Sequence, residues 1–282
     1  MDPLDLPSNG PAGPSPTVGV IGTGAMGGAL IRGWAKTIGA GTRLLVWDKI
    51  PAALAGVAGH QGVAVAESLD SLVEQAAVIV VVVKPKDGDA LLRSLAPALR
   101  PDHTVVSAMA GVELAQIRQA AGPVPAVFRV MPNLGVEVGA GMAGVCAEPD
   151  APAAAQARVA GLFDALGVAV VVPEDMMDIV TALSGSGPAL FALALEGLED
   201  GGVLSGLPRA LSRRFARAAM LGAARTMVAG EHPGTSTGAT ALAGADLPDG
   251  LSLLDELGVR SAFEEAVLAA ARRSREMRAP AK

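Results

Sequence analysis

Val18-Gly19-Val20-Ile21-Gly22-Thr23-Gly24-Ala25-Met26-Gly27-Gly28 is the stretch that decides the fold of this chain. Four residues of buried-strand character run into Gly22-x-Gly24-x-x-Gly27, and Ala29-Leu30-Ile31 continue as an amphipathic helix. Strand, glycine turn and helix N-terminus in that order are what a dinucleotide site requires, the alternative being a glycine-rich turn that binds nothing. Gly22 forms the tight turn, Gly24 admits a pyrophosphate against the backbone, and Gly27 lets helix and strand pack closely. The first amides of the helix then face the phosphates. In a chain with 35 glycines the spacing alone is weak. Its context strengthens it, because Leu44-Leu45-Val46-Trp47-Asp48 arrives as a second strand ending on an acid, where ribose hydroxyls need an acceptor. Lys49 follows and suits a 2′-phosphate instead, which leaves NAD against NADP open. Gly22, Thr23, Gly24, Ala25, Met26, Gly27, Asp48 and Lys49 are the candidate cofactor-binding residues for NADPH or NADH.

Outward from that turn, strands are expected at 17–21, 43–47, 63–65, 77–83, 104–108 and 126–130. Helices fall between them at 25–37, 51–58, 68–75, 87–98 and 113–120. A helix over 152–166 and a strand over 168–172 complete this part. The alternation predicts a parallel sheet covered on both faces. The run Ala77-Val78-Ile79-Val80-Val81-Val82-Val83 is its central strand, stopped by Lys84-Pro85 at the edge where ligands bind in open α/β sheets. Arg129-Val130-Met131-Pro132-Asn133 repeats that theme one strand later. Beyond Pro173 the pattern turns helical, at 175–200, 208–229, 250–257 and 259–277. The fold expected is an α/β Rossmann-like N-terminal domain, doubly wound and mostly parallel, over 17–173, then an all-α dimerisation domain over 174–282. Gly185, Gly187 and Pro188 lie inside an expected helix, where they are unfavourable unless another backbone or a ligand approaches closely.

Composition narrows the function. Aromatic residues are 2% of the chain, with no Tyr, and the net charge is −6, which opposes both base stacking and phosphate-backbone binding; no nucleic-acid partner is expected. A single cysteine, Cys146, excludes a disulfide framework or thiolate cluster and fits a reducing cytoplasm. His60, His103 and His232 show no ligand spacing, so no metal site is expected. The segment 1–16, rich in Pro, Gly and Ser, reads as a disordered tail without the basic start of a signal peptide. Ala76 to Val83 is too short to span a bilayer, and Ser184-Gly185-Ser186-Gly187-Pro188 interrupts the apolar Ile179 to Leu195. A soluble cytoplasmic protein with no membrane partner is the expectation. Apolar helical faces with few charges are expected to bury against a second copy of the chain.

Taken in order, Gly22-x-Gly24-Ala25-Met26-Gly27, Val83-Lys84-Pro85, Met131-Pro132-Asn133 and Thr181-Ala182-Leu183-Ser184-Gly185-Ser186-Gly187-Pro188-Ala189 resemble the pyrroline-5-carboxylate reductases. The closing Leu257-Gly258-Val259-Arg260 and Arg272-Arg273-Ser274-Arg275-Glu276-Met277 are similar to that family too, and the likeness runs from about 17 to 278. The resemblance implies reduction of the cyclic imine 1-pyrroline-5-carboxylate to L-proline with NAD(P)H, in a homodimer or a larger assembly of dimers. It implies further cofactor contacts at Val83, Lys84, Pro85 and Ala110. It implies substrate contacts at Met131, Pro132, Asn133, Thr181, Ser184, Gly185, Ser186 and Gly187, between the sheet edge and the helical domain.

Three positions depart from the family. VKPQ becomes Val83-Lys84-Pro85-Lys86, and MPNTP becomes Met131-Pro132-Asn133-Leu134-Gly135. The Ser-Pro-Gly-Gly-Thr-Thr loop that receives the substrate carboxylate maps, between His232-Pro233 and Gly250-Leu251, onto Leu242-Ala243-Gly244-Ala245-Asp246-Leu247. Gly244, Asp246 and Leu247 are therefore the candidate substrate residues of that loop. Its hydroxyls are gone, and Asp246 would repel an anion and favour a cationic iminium. Asp246 is also the candidate catalytic group, as holder of the proton on nitrogen. The expected reaction is the proline-forming one; alternatives are a related, carboxylate-free cyclic imine, or a nucleotide-binding protein without catalysis.

Overall fold

The computed structural model describes residues 16–37, 42–230 and 247–278. Apart from Pro16, the expected tail lies outside them, as do Gly244 and Asp246. The described residues form two compact units: one runs to Gly185 and takes in the chain end from Ala271, and the other is Ser186–Ala270.

The first unit is built on one eight-stranded sheet. Its strands are β1 (Val18–Ile21), β2 (Leu44–Trp47), β3 (Val63–Val65), β4 (Val78–Val81), β5 (Thr104–Ser107), β6 (Ala126–Pro132), β7 (Gly141–Ala147) and β8 (Gly167–Val171). They lie in the order β3-β2-β1-β4-β5-β6-β7-β8. Every pairing is parallel except β6 with β7. The chain winds outward from β1 in both directions, so β1 and β4 flank the point where the winding reverses. Ligands bind outside the carboxyl ends of strands at such a point.

Strand residues alternate between two cores. Val18, Val20, Val78 and Val80 face α1 (Ala25–Thr37) and α5 (Ala153–Asp164). Ile21, Ile79 and Val81 face α2 (Leu69–Gln75), α3 (Pro85–Leu95) and α4 (Leu114–Ala121). Burial on both faces is why these strands read as continuous apolar runs. Trp34 of α1 sets its ring edge-on to Phe163 of α5 at 5.5 Å and donates from Nε1 to Leu162 O at 2.7 Å. The helix expected over 51–58 is a short 3₁₀ segment, Pro51–Gly56.

Strand β7 was not expected from the sequence. Gly141-Met142-Ala143-Gly144-Val145-Cys146-Ala147 has little β-branched character, and packing supplies the reason. A Cβ on Gly144 would stand 2.7 Å from Val180 Cγ1, and one on Gly141 would meet the Val136 backbone. Small residues let β7 lie tightly between α6 (Met177–Val180) and the 3₁₀ turn Leu134–Val138.

The helix expected over 175–200 is broken into parts. A 3₁₀ turn, Glu174–Met176, leads into α6, then a π-helical turn, Thr181–Gly185, then α7 (Gly187–Leu204). The break absorbs the residues that made a continuous helix unfavourable. Pro188 falls in the first positions of α7, where a missing N–H is harmless. In the second unit, α7 packs on α8 (Arg209–Val228), followed by α9 (Leu247–Glu256) and most of α10 (Val259–Arg278). Ser212 Oγ donates to Glu199 O at 2.6 Å, and the buried Glu199 carboxylate receives Arg213 at 3.1 Å and Arg217 at 3.5 Å. Phe191, Leu193, Leu198, Phe215 and Leu221 are all more than half exposed in the single chain. Glu174–Leu204 is, by length and composition, the one stretch among the described residues able to cross a membrane.

Candidate active site

The parallel strands bring the ends of β1, β2, β4, β5 and β6 to one edge of the sheet, and nearly every residue expected to bind cofactor lies there. Gly22 leaves β1 with its N–H donating to Trp47 O at 2.9 Å. Its φ of +100° is one that L side chains rarely adopt, and an added Cβ would overlap Val82 O. A Cβ on Gly27 would overlap Gly22 O, so α1 can start this close to the strand only without a side chain. Gly24 differs: it is exposed, and no atom lies within 4 Å of where its Cβ would stand. The fold does not need glycine there, whereas a pyrophosphate laid on the backbone does. Gly24 precedes, and Ala25 and Met26 open, a helix of 13 residues, whose first amides have no partner within the helix. This cradle fits a dinucleotide.

Asp48 fixes the turn. One carboxylate oxygen accepts from Thr23 N at 2.7 Å and Thr23 Oγ1 at 3.1 Å, and the other accepts from Ile50 N at 2.9 Å. Burial opposes its charge, but the Thr23 and Ile50 amides, the Thr23 hydroxyl and Lys49 outweigh that and hold the carboxyl below its ordinary value. A group with a depressed folded pKa stabilises above its unfolded value, near about 4, and that stability is lost as pH falls through the folded value. Asp48→Ala is expected to lower stability at neutral pH by about 1–2 kcal/mol and to weaken both cofactors. Denaturant titrations from neutral pH downward should show the gap from the parent protein closing in acid.

Lys49 Nζ stands 3.3 Å from Asp87 Oδ1 in the first turn of α3, an ion pair the sequence did not signal, since the two groups belong to different βα units. Val83 is half-buried beyond β4, exposed Lys84 caps α3, and Pro85 is its first residue. Ala110 is exposed beyond β5.

Of the substrate candidates, Met131, Pro132, Asn133, Thr181, Ser184 and Gly185 lie together in the first unit, at the end of β6 and the π turn beside it. Met131 is half-buried and Pro132 buried. Asn133 Nδ2 donates to Ser184 O at 3.0 Å, while its Oδ1 accepts from Gly135 N at 3.1 Å and Met142 N at 3.2 Å. Asn133 thus ties the π turn to the β6–β7 connection. A Cβ on Gly185 would stand 3.5 Å from Met131 Cε. Thr181 Oγ1 donates back to Met177 O at 2.7 Å. Ser184 Oγ is buried without a hydrogen-bond partner, in a π turn of the kind that recurs at functional sites. Ser186 and Gly187 belong to the helical unit, and Leu247 begins α9.

Two neighbouring groups brace this edge. Glu174 accepts from Leu114 N at 2.7 Å and pairs with the buried Arg129 at 3.3 Å, anchoring the start of the helical segment to α4 and β6. Burial, with the charge of Glu174, pushes the Cys146 thiol up to about 11, so it stays protonated and is no nucleophile.

Comparison with known proteins agrees with this geometry. A family model for pyrroline-5-carboxylate reductase dimerisation matches residues 174–277, and one described as NADP oxidoreductase, coenzyme F420-dependent, matches residues 17–111. The chain is 45% identical over 212 residues to a pyrroline-5-carboxylate reductase of Synechocystis sp., covering 71% of this chain and 74% of that one. It is 32% identical over 262 residues to one of Methanosarcina acetivorans, covering 92% and 97%. Among solved structures it is similar to Plasmodium falciparum pyrroline carboxylate reductase with NADP bound, with a TM-score of 0.80 and 25% identity over 94% of this chain and 99% of that one. The Coxiella burnetii pyrroline-5-carboxylate reductase shares the fold, with a TM-score of 0.85 at 24% identity over 94% and 100%. A glycine cradle built for a dinucleotide, a sheet edge facing a π turn, and relatives at this level over most of their length lead to one conclusion: the chain belongs to the pyrroline-5-carboxylate reductase family.

Proposed function

We propose that this chain reduces 1-pyrroline-5-carboxylate to L-proline, with NAD(P)H as the electron donor. The observation that carries the reading is Gly24, a glycine the fold does not require, exposed at the start of α1 in a turn fixed by Asp48. Gly22 to Gly27, Asp48 and Lys49 hold the adenosine and pyrophosphate half, and Val83, Lys84, Pro85 and Ala110 flank the rest. NAD(P)H bound there supplies a hydride to the carbon of the C=N bond. Met131 and Pro132 give the imine an apolar floor that excludes water, while Asn133 fixes the π turn carrying Ser184. Thr181, Ser184, Gly185, Ser186 and Gly187 complete the substrate residues, with Gly244 and Asp246 contributed by the loop outside the described residues and Leu247 by the start of α9. Placement of the acceptor carbon against the nicotinamide is the main task of these residues.

The enzyme acts as a homodimer in the cytoplasm. A Phe or Leu side chain moved from water into an interface stabilises by about 1.5–3 kcal/mol, and α7 and α8 carry enough exposed ones to drive association with a second copy.

A panel of cyclic imines tests the reading. 1-Pyrroline-5-carboxylate should consume NAD(P)H and yield proline. Asp246, standing where the family presents a hydroxyl, should leave carboxylate-free 1-pyrroline at least as good a substrate. Asp246→Thr with Leu247→Thr should then shift preference toward the carboxylate-bearing ring by roughly tenfold, or about 1.4 kcal/mol. Cofactor binding without consumption by any imine would mark a nucleotide-binding protein instead.

A further inference from the structure

In a dinucleotide site the acid ending the second strand selects NAD by accepting from the ribose 2′-hydroxyl, and a nearby cation accommodates the 2′-phosphate of NADP. Here the acid is engaged elsewhere. Asp48 accepts three hydrogen bonds, two from Thr23 and one from Ile50, and turns its charge into the glycine turn. Lys49, the next residue, is largely exposed, and its ammonium is shared with Asp87, 3.3 Å away on α3. β2 and β4 lie on either side of β1, so this pair reaches from one flank of the glycine turn to the other. Of the other charges close by in sequence, Asp89 pairs with Arg93, Lys86 is exposed in the first turn of α3, and Lys84 is exposed at its N-cap.

The geometry points to Asp87 as a specificity-determining residue that restrains Lys49 and so limits this chain's preference for NADP over NAD. The inference rests on the dinucleotide reading of the site. A 2′-phosphate must draw Lys49 from Asp87 and then tolerate the carboxylate left behind; a 2′-hydroxyl meets neither demand. Exchange of one exposed ion pair for another is a modest, salt-screened effect, so preference should be tunable over a few-fold range without disturbing the pyrophosphate cradle.

Calorimetric titration with 2′,5′-ADP and 5′-ADP reads this without turnover. Asp87→Asn should tighten 2′,5′-ADP about three- to fivefold, with 5′-ADP unchanged, and the gain should shrink as salt is added. Lys49→Gln should weaken 2′,5′-ADP selectively, and Asp87→Asn added to it should restore little. The ratio of NADPH to NADH affinity, followed by cofactor fluorescence, should move in the same directions. An unchanged or lowered 2′,5′-ADP to 5′-ADP ratio in Asp87→Asn overturns the proposal, as does equal weakening of both nucleotides by Lys49→Gln. Failure of the parent protein to bind either nucleotide would overturn the dinucleotide reading itself, and the proposal with it.

Discussion

Gly24→Val is expected to abolish NAD(P)H binding, a loss of at least roughly 100-fold in affinity, while the melting temperature stays close to that of the parent protein. The expectation comes from an asymmetry among the three turn glycines. Side chains at Gly22 and Gly27 would overlap backbone oxygens of the protein itself, so Gly27→Ala should lower stability as well as binding. A side chain at Gly24 meets nothing in the fold. Its harm must fall on what the fold leaves room for, and at the start of α1 that is the pyrophosphate. Titration of NADPH fluorescence beside thermal melts separates the two kinds of glycine. A Gly24→Val protein that binds cofactor normally would remove the basis of the site.

The second large effect is expected at Gly187→Leu: a fall in kcat/KM of about two to three orders of magnitude, with cofactor affinity little changed. Gly187 is buried and begins α7 one residue after the π turn, yet apart from its chain neighbours and its own helix backbone no atom lies within 4 Å of its Cβ direction in the single chain. A leucine would fill space that the chain's own packing does not use. Displacement of the neighbouring Ser184–Gly185 backbone by even an ångström would misplace the imine carbon. Cofactor titration, sedimentation and steady-state kinetics on one sample resolve the effect. Parallel losses of folding and cofactor binding would show that Gly187 serves only the helix break.

Much of this was legible in the sequence because it rests on local patterns. Val18 to Ile21 and Val78 to Val81 announce doubly buried strands, and the Gly22–Gly27 spacing announces the turn between β1 and α1. The misfit of Gly185, Gly187 and Pro188 with a helix signalled irregular backbone, though not that it would be a π turn. What escaped reading depends on contacts between distant segments. β7 is a strand because Gly141 and Gly144 let it fit against Val136 and Val180, and glycine is a poor strand signal by itself. The use of Asp48 depends on where Thr23 and Ile50 present their donors. The pairing of Lys49 with Asp87 depends on β1 lying between β2 and β4, and Asn133 finds Ser184 only after β7 and α6 have folded back.

Following the transferred hydrogen shows whether this protein reduces the imine. The protein is incubated with 1-pyrroline-5-carboxylate and with NADPH, or NADH, carrying deuterium at the transferable position, and the product is examined by mass spectrometry. The expected product is L-proline with one deuterium on the ring carbon that was doubly bonded to nitrogen, in amounts equal to the cofactor oxidised. Cofactor that binds but is never oxidised, or that is oxidised without labelled proline, would contradict it.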